Sequence, residues 1–366
     1  MHLSYWEQAA FLGEPHTVVV GGGITGLNAA LHTRRLHPTR EVLLIERGTF
    51  PAGASTRNAG FACFGSAGEI QNDLRTLSAQ EVSALVGLRW QGLQRLRETC
   101  GDFALGYEPA GSLELFESQA AFEAVAQDLP KLNALVAEAV GHEPYEIVQD
   151  PFSHTHRFPW AIRNTLEGAL HTGNMMARLT AVARETGVRI VTGTEVKRIA
   201  PNTVELQDIT LHPQHILVAT NAFARELLEV QVTPVRNQVW ITHPIPGLPV
   251  RGTFHMNQGY VYFRNVEDRL LLGGFRNLFP DSETTDQFGI HEALEAHLKT
   301  FAAEYLLPGI PHSWDRGWSG ILGVGNQKSP ILKQVLPGVF AGVRLGGMGV
   351  AIGSELGCRL ADLPHS

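Results

Sequence analysis

A group of closely spaced glycines between an apolar segment and a helical one constrains the fold of this chain more than any other feature. Gly21, Gly23 and Gly26 follow the predicted strand His16–Val20 and open a predicted helix over Thr25–Leu36. In this setting the first glycine permits a tight turn, the second lets the backbone approach a diphosphate, and the third lets helix and strand pack closely. The motif therefore predicts a dinucleotide-binding unit at the start of the chain.

An acidic residue at the end of the next predicted strand supports this interpretation. Glu46 lies twenty residues after Gly26. A carboxylate at this point accepts hydrogen bonds from the ribose hydroxyls of an adenosine, and it disfavours the 2′-phosphate of NADP. Arg47 follows directly, and the backbone N–H groups of Ile24 and Thr25 are expected at the diphosphate.

The order of strand and helix patterns predicts an α/β protein with two interleaved domains. Further helices are predicted at Ala79–Thr99, Gln119–Val140 and His171–Glu185. Further strands are predicted at Gly111–Phe116, Arg189–Val191, Thr194–Lys197, Val204–Leu206, His215–Ala219, Val239–His243, Tyr260–Arg264, Leu270–Gly274 and Val339–Val343. We expect a Rossmann-like dinucleotide-binding domain at 1–105, 166–232 and 314–366. A mixed α+β substrate domain is expected at 106–165 and 233–313.

Composition narrows the function classes. The net charge of −7 and the absence of a basic stripe disfavour nucleic acid as a partner. Cys63, Cys100 and Cys358 form no closely spaced pair, so neither a disulfide framework nor a metal site is predicted. No apolar run approaches the roughly 20 residues that cross a bilayer, and no signal-peptide pattern is present. We therefore expect a cytoplasmic protein without a membrane partner.

The loop after the second strand resembles a loop of the D-amino-acid oxidase-like FAD oxidoreductases. Residues 53–61 read GASTRNAGF, similar to the G-A-S-x-x-N-x-G loop of that group, which includes glycine oxidase, sarcosine oxidase and γ-glutamylputrescine oxidase. Three later segments are similar to family segments in the same order: 193–196, 218–222 and 346–349. In the second of these, Asn221 stands where the family usually has glycine. The resemblance covers nearly the whole chain and implies FAD rather than NAD, so the dinucleotide-binding domain becomes a Rossmann-like FAD-binding domain.

The resemblance also implies which residues bind FAD. The loop runs under the diphosphate, ribityl chain and ring, and the backbone of Val196 meets the adenine. The last glycine cluster returns to the flavin at a helix N-terminus, where the helix dipole stabilises negative charge on reduction. The full predicted set is Gly21, Gly23, Ile24, Thr25, Gly26, Glu46, Arg47, Ser55, Thr56, Arg57, Asn58, Gly60, Phe61, Val196, Ala219, Thr220, Gly346, Gly347, Met348 and Gly349.

The family's chemistry implies oxidation of the C–N bond of a small amine or amino acid. Hydride passes from the carbon beside nitrogen to the flavin, and the imine product hydrolyses in water. This reaction needs a positioned substrate but no triad and no metal. Sarcosine oxidases tether their flavin through a cysteine near the segment that corresponds to Trp318. None stands there in this chain, so the resemblance implies non-covalent FAD.

One predicted strand carries the candidate substrate contacts. Tyr260, Tyr262 and Arg264 alternate along it and so share a face, and the family places a substrate-contacting tyrosine in the corresponding strand. Arg276 and Arg344 are candidates for bidentate binding of a carboxylate. The predicted catalytic set is Tyr260, Tyr262, Arg264 and Arg344.

Two departures from the family leave the substrate and the electron acceptor open. Leu322 stands where glycine oxidase has an arginine, so an amino acid and an amine without a carboxylate both remain candidates. Leu271 stands where sarcosine oxidases have a lysine associated with oxygen reactivity, so the acceptor is oxygen or another oxidant. Two other functions also remain: an FAD-dependent RNA-modification enzyme, which the acidic charge disfavours, and a flavin-binding module without catalysis.

Overall fold

The strand that precedes the glycine motif, Thr17–Val20, lies near the centre of a six-stranded sheet. The computed structural model describes residues 3–155 and 157–365. All four residues of this strand are buried. Val19 packs with residues of the helices on one face of the sheet, and Val18 and Val20 pack on the other face with a cluster that includes residues of a small three-stranded sheet. The spatial order of the strands is Ile331–Leu336, Val339–Val343, His215–Val218, Thr17–Val20, Val42–Ile45 and Arg189–Val191. Neighbours pair in parallel except for Ile331–Leu336, which is antiparallel at one edge.

A second sheet has eight strands and is mostly antiparallel. Their spatial order is Trp314–Val324, Thr233–Thr242, Arg269–Gly274, Val261–Val266, Thr253–Met256, Ser112–Leu115, Trp160–Asn164 and Tyr145–Gln149. The pairing of Thr253–Met256 with Ser112–Leu115 is parallel. A separate hydrophobic cluster that includes Phe254 and Phe263 packs on this sheet. Smaller sheets contain Arg198–Ala200, Thr203–Glu205 and Thr210–Leu211, and Phe61–Ala62 with Gly168–Ala169.

Helices cover both sheets. The helices are Tyr5–Glu7, Gln8–Leu12, Ile24–Leu36, Ala67–Asp73, Ala79–Cys100, Asp102–Leu105, Gln119–Ala126, Leu129–Val140, Thr172–Glu185, Pro280–Glu283, Glu292–Phe301, Ala302–Leu306 and Gly349–Asp362, with 3₁₀ turns at Asn221–Glu226, Asn257–Gly259, Arg276–Leu278 and Leu363–His365. Ile24–Leu36 packs against the last long helix, Gly349–Asp362. In the described parts of the chain, no helix has both the length and the apolar character needed to span a membrane.

The predicted α/β class is confirmed, and several local predictions change. The strand predicted at Val239–His243 is longer and spans Thr233–Thr242. The predicted helix over 119–140 is two helices, because Pro130 takes an early position in a second helix. Residues 194–197 are not a strand, and pairing starts at Arg198. The strand predicted to start at Tyr260 begins at Val261. Trp314–Val324 pairs with Thr233–Thr242 in the eight-stranded sheet, so within the proposed domain division we move the boundary at 314 to after Val324.

Candidate active site

The glycine motif forms a narrow turn between the first strand and helix. Gly21 has a φ of +105°, and a Cβ there would lie 2.9 Å from the Ala219 carbonyl oxygen. A Cβ at Gly26 would lie 1.8 Å from the Gly21 carbonyl oxygen, so only glycine lets helix and strand come this close. The helix starts after Gly23, which has no side chain to cap it, and the Ser55 hydroxyl accepts a hydrogen bond from the Ile24 N–H at 3.1 Å. The N–H groups that follow in the first turn and the helix dipole are available to an anion.

Glu46 is fixed at the edge of this turn. Its Oε2 accepts a hydrogen bond from the Gly22 N–H at 2.8 Å, and its Oε1 accepts one from the Gly48 N–H at 2.9 Å. A carboxylate has about four acceptor sites, so both oxygens keep capacity for hydroxyl donors. Arg47, predicted with it, pairs with Glu226 at 3.2 Å.

A first cavity follows the turn and brings together segments that are distant in sequence. It contains one orphaned polar atom, the buried Oγ1 of Thr220, which has no hydrogen-bond partner among the described residues. The predicted FAD-binding residues that line this cavity are Gly21, Gly23, Ile24, Thr25, Glu46, Arg47, Ser55, Asn58, Val196, Ala219, Thr220, Gly346, Gly347 and Gly349. The remaining members of the predicted set lie outside its wall: Gly26, Thr56, Arg57, Gly60, Phe61 and Met348.

A second helix N-terminus faces the same cavity. Gly346 has a φ of +58° and open space beyond its Cα, and no side chain caps the helix Gly349–Asp362. Asn221 holds the chain just before this turn. Its φ is +47°, in the left-handed region that glycine and asparagine adopt more readily than other residues. Asparagine can therefore stand where the family usually has glycine. Its Oδ1 accepts hydrogen bonds from the N–H groups of Arg344 and Leu345, at 3.0 and 3.2 Å.

A second cavity of about 390 Å³ adjoins the first. The two share wall residues from three parts of the chain: Ala54, Asn58, Leu322, Leu345, Gly346, Gly347 and Val350. A molecule that fills the first cavity and extends past these residues would therefore be exposed to the second. The predicted residues that line the second cavity are Arg57, Asn58, Phe61, Tyr260, Tyr262, Arg276, Arg344, Gly346, Gly347 and Met348.

Two tyrosines and an arginine form one end of the second cavity. The Tyr262 hydroxyl accepts a hydrogen bond from Asn237 Nδ2 at 3.0 Å, and burial raises the pKa of Tyr262 to about 12. The guanidinium of Arg276 lies over the Tyr260 ring, 4.7 Å from its centre. Among the described residues, no group forms a hydrogen bond or an ion pair with this guanidinium. Burial lowers the pKa of Arg276, as expected for a desolvated cation without an anionic partner.

The structure places Arg264 outside both cavities. Its Nη1 donates to the carbonyl oxygens of Gly60 and Leu170, at 2.8 and 3.0 Å, and its Nε donates to that of Asn265. Arg264 thus joins backbone segments, and we no longer propose it as a substrate contact. Thr56 and Gly60 also line neither cavity. The Thr56 hydroxyl donates to a loop carbonyl, and a Cβ at Gly60 would meet Leu170.

Several residues of the second cavity were not predicted. They are polar groups from loops and helices far apart in sequence, namely Glu69, Asn72, Arg89, Gln258 and Lys328. His255 also lines this cavity and is a weaker candidate from the sequence, since a lone histidine is more often packed than catalytic. Its apolar neighbours Phe254 and Met256 predict that it faces away from the core of its strand. Glu69 Oε1 lies 3.2 Å from Arg89 and 3.9 Å from Lys328, and Lys328 also pairs with Asp73, so two carboxylates balance the two cations.

Comparisons with known proteins agree with this geometry. The family described as DAO, FAD dependent oxidoreductase, matches residues 16–363. The probable oxidoreductase OrdL of Rhizobium meliloti is 25% identical, over 94% of this chain and 82% of that protein. Sarcosine oxidase subunit beta of Rhodobacter capsulatus is 24% identical, over 98% and 88%. The crystal structure of glycine oxidase from Geobacillus kaustophilus shares the fold with a TM-score of 0.76, at 22% identity over 96% and 94%. The chain therefore belongs to the DAO family of FAD dependent oxidoreductases, and its cofactor is FAD.

Proposed function

We propose that this protein uses FAD to oxidise the C–N bond of a small amine or amino acid to an imine. The observation that carries the proposal is the second cavity, which shares a wall with the first and contains the free guanidinium of Arg276. Two of the relatives are named as a sarcosine oxidase subunit and a glycine oxidase, and sarcosine and glycine are both small amino acids.

In this proposal the first cavity holds FAD without a covalent bond. The N-termini of Ile24–Leu36 and Gly349–Asp362 bind its anionic parts, and Glu46 accepts hydrogen bonds from its ribose hydroxyls. The unpartnered Thr220 hydroxyl and the open space at Gly346 give the site both a donor and room. When bound, FAD supplies the two-electron acceptor for the reaction.

The second cavity holds the substrate, and Arg276 selects for a carboxylate. Arg57, Arg89 and Arg344 also line this cavity, but each donates to a backbone carbonyl oxygen at about 2.9 Å. Arg276 has no such partner, so its fork of donors is free for a bidentate contact with an anion. The carboxylate of an amino acid is the anion that fits beside a reacting C–N bond.

The tyrosines position the rest of the substrate. Tyr262 keeps its proton through the physiological range, because burial raises its pKa to about 12. Its hydroxyl therefore acts as a neutral hydrogen-bonding group, oriented by Asn237. Tyr260 is 36% exposed, and its ring supports the guanidinium of Arg276 through a cation–π contact.

The test is anaerobic reduction of the bound flavin. The purified yellow protein is mixed with matched pairs of compounds, sarcosine with dimethylamine and glycine with methylamine, and with a panel of other amino acids and amines. We expect loss of absorbance near roughly 450 nm with the carboxylate member of a pair and much less with its partner. Repeating the active compound with oxygen and with an artificial dye identifies the acceptor. A flavoprotein that no amine or amino acid bleaches would be a binding module, and the proposal would be abandoned.

A further inference from the structure

Three buried side chains, distant in sequence, meet beside the second cavity. Cys63 Sγ lies 3.5 Å from His255 Nε2, and the same Nε2 lies 3.8 Å from Glu167 Oε2. The three ligand atoms all lie within 4.8 Å of one another. Cys63 and His255 line the cavity wall, and the side chain of Glu167 is fully buried behind them. None of these three side chains has a role in the proposed oxidation.

The approach through a single histidine nitrogen distinguishes this group from a proton relay. In a thiol–imidazole–carboxylate relay, one ring nitrogen meets the thiol and the other meets the carboxylate. Here Nε2 of His255 faces both partners, so the three groups converge on one point. Ligands at tetrahedral angles around zinc, with bonds of about 2.0 to 2.3 Å, lie roughly 3.3 to 3.6 Å apart. The distance from Cys63 Sγ to Nε2 falls in this range, and that from Nε2 to Glu167 needs a shift of a few tenths of an ångström.

The surroundings of Glu167 are those of an oriented metal ligand. Its Oε1 accepts hydrogen bonds from the N–H groups of Phe64 and Gly65, at 2.6 and 2.8 Å, and the Ser112 hydroxyl donates to Oε2. Such outer hydrogen bonds typically fix a ligating carboxylate. In the described chain its one ion-pair partner is His255. A divalent cation would balance this carboxylate together with a Cys63 thiolate and leave the imidazole neutral.

We propose that Cys63, His255 and Glu167 bind one divalent cation of the zinc class, with a fourth coordination position open to the second cavity. Thiolate and imidazole donors favour zinc over magnesium or calcium. The spacing of 63, 167 and 255 along the chain matches no short metal motif, which is why the sequence predicted no metal. This site is a property of the polypeptide and does not depend on the substrate of the flavin.

Zinc content of the purified flavoprotein tests the proposal. The protein is equilibrated with zinc chloride, freed of excess metal by gel filtration and measured by inductively coupled plasma mass spectrometry. We expect about one zinc per chain in the wild type, and at least a tenfold lower content in Cys63→Ser and His255→Ala. Cys100→Ser is the matched control, because Cys100 is also a buried free thiol but belongs to no such group. It should retain the wild-type content.

X-ray absorption at the zinc edge of the wild-type protein gives a result that does not depend on any variant. We expect one sulfur at about 2.3 Å and nitrogen or oxygen neighbours at about 2.0 Å. Bound zinc without a sulfur neighbour would overturn the proposal, and so would a wild-type protein that retains no zinc. If a variant loses its flavin or fails to fold, the wild-type spectrum alone decides.

Discussion

The guanidinium of Arg276 lies over the ring of Tyr260 in the second cavity, 4.7 Å from the ring centre and without an anionic partner in the described chain. Arg276→Gln should therefore weaken binding of a carboxylate roughly 10- to 100-fold, since a hydrogen bond to a charged group contributes about 1.5–3 kcal/mol. The substrate concentration dependence of anaerobic flavin reduction measures this change, with the limiting rate less affected than the apparent Kd.

The control for this prediction is Arg316→Gln. The side chain of Arg316 is 72% exposed and pairs with Asp315, so its loss should leave substrate affinity unchanged. Equal affinities in Arg276→Gln and Arg316→Gln would show that the free guanidinium does not bind substrate.

The side chain of Asn221 supports the glycine turn at the flavin. Asn221→Ala removes the acceptor for two backbone N–H groups, each worth about 1–3 kcal/mol when left unsatisfied, and adds the cost of a positive φ at alanine. We expect the melting temperature to fall by several degrees and FAD to dissociate more readily. Thermal unfolding followed by flavin fluorescence reports both effects.

Two further substitutions separate the backbone from the hydrogen bonds at this position. Asn221→Asp keeps the acceptor and should melt close to the wild type. Asn221→Gly accepts the positive φ but loses both bonds, so it should fall between the wild type and alanine. If Asn221→Ala melted like the wild type, the side-chain bonds to Arg344 and Leu345 would have no measurable role.

The sequence could predict those parts of the site that depend on residues close together in one structural unit. The turn from Gly21 to Gly26 and the position of Glu46 depend on neighbours in a βαβ unit, and the structure places these residues as predicted. Alternation along a strand put Tyr262 and Arg264 on one face, but it could not show that Arg264 would be held by carbonyl groups from distant loops.

Other parts of the site depend on packing between elements that no single-sequence pattern joins. The group of Cys63, Glu167 and His255 forms only when a loop, a second-sheet strand and a turn meet. Likewise, only the hydrogen bonds in the structure distinguish Arg276, whose donors are free, from the three other arginines of the cavity. In the sequence every arginine offers the same donors.

Replacing Glu46 should weaken FAD binding. Glu46→Gln leaves one acceptor oxygen where two backbone N–H groups are now bound, and the new amide N–H₂ would face one of those donors. We expect the Kd for FAD to rise about 10-fold or more, from the loss of roughly 1.5 kcal/mol. Fluorescence quenching during reconstitution of the apoprotein measures this Kd. The same substitution at Glu185, which is exposed, should leave it unchanged.

Glu114 should make stability depend on pH. This carboxyl is buried, and burial raises its pKa from 4.5 to about 7, although a hydrogen bond from the Gly68 N–H opposes the shift. Between about pH 4.5 and 7 the folded state holds a proton that the unfolded state has released. The stabilisation that this proton gives the folded state is therefore complete below pH 4.5 and is lost as the pH rises through 7.

Glu114→Gln removes this titration while keeping size and an acceptor oxygen. We expect the free energy of unfolding, from urea titrations, to exceed that of the wild type at pH 8 by on the order of 1–3 kcal/mol. At pH 5 the two proteins should be much closer, because the wild-type carboxyl is then protonated when folded. Glu117→Gln makes the same chemical change at an exposed position three residues away and should alter neither value. A difference between Glu114→Gln and the wild type that is the same at both pH values would mean that Glu114 titrates normally in the folded protein.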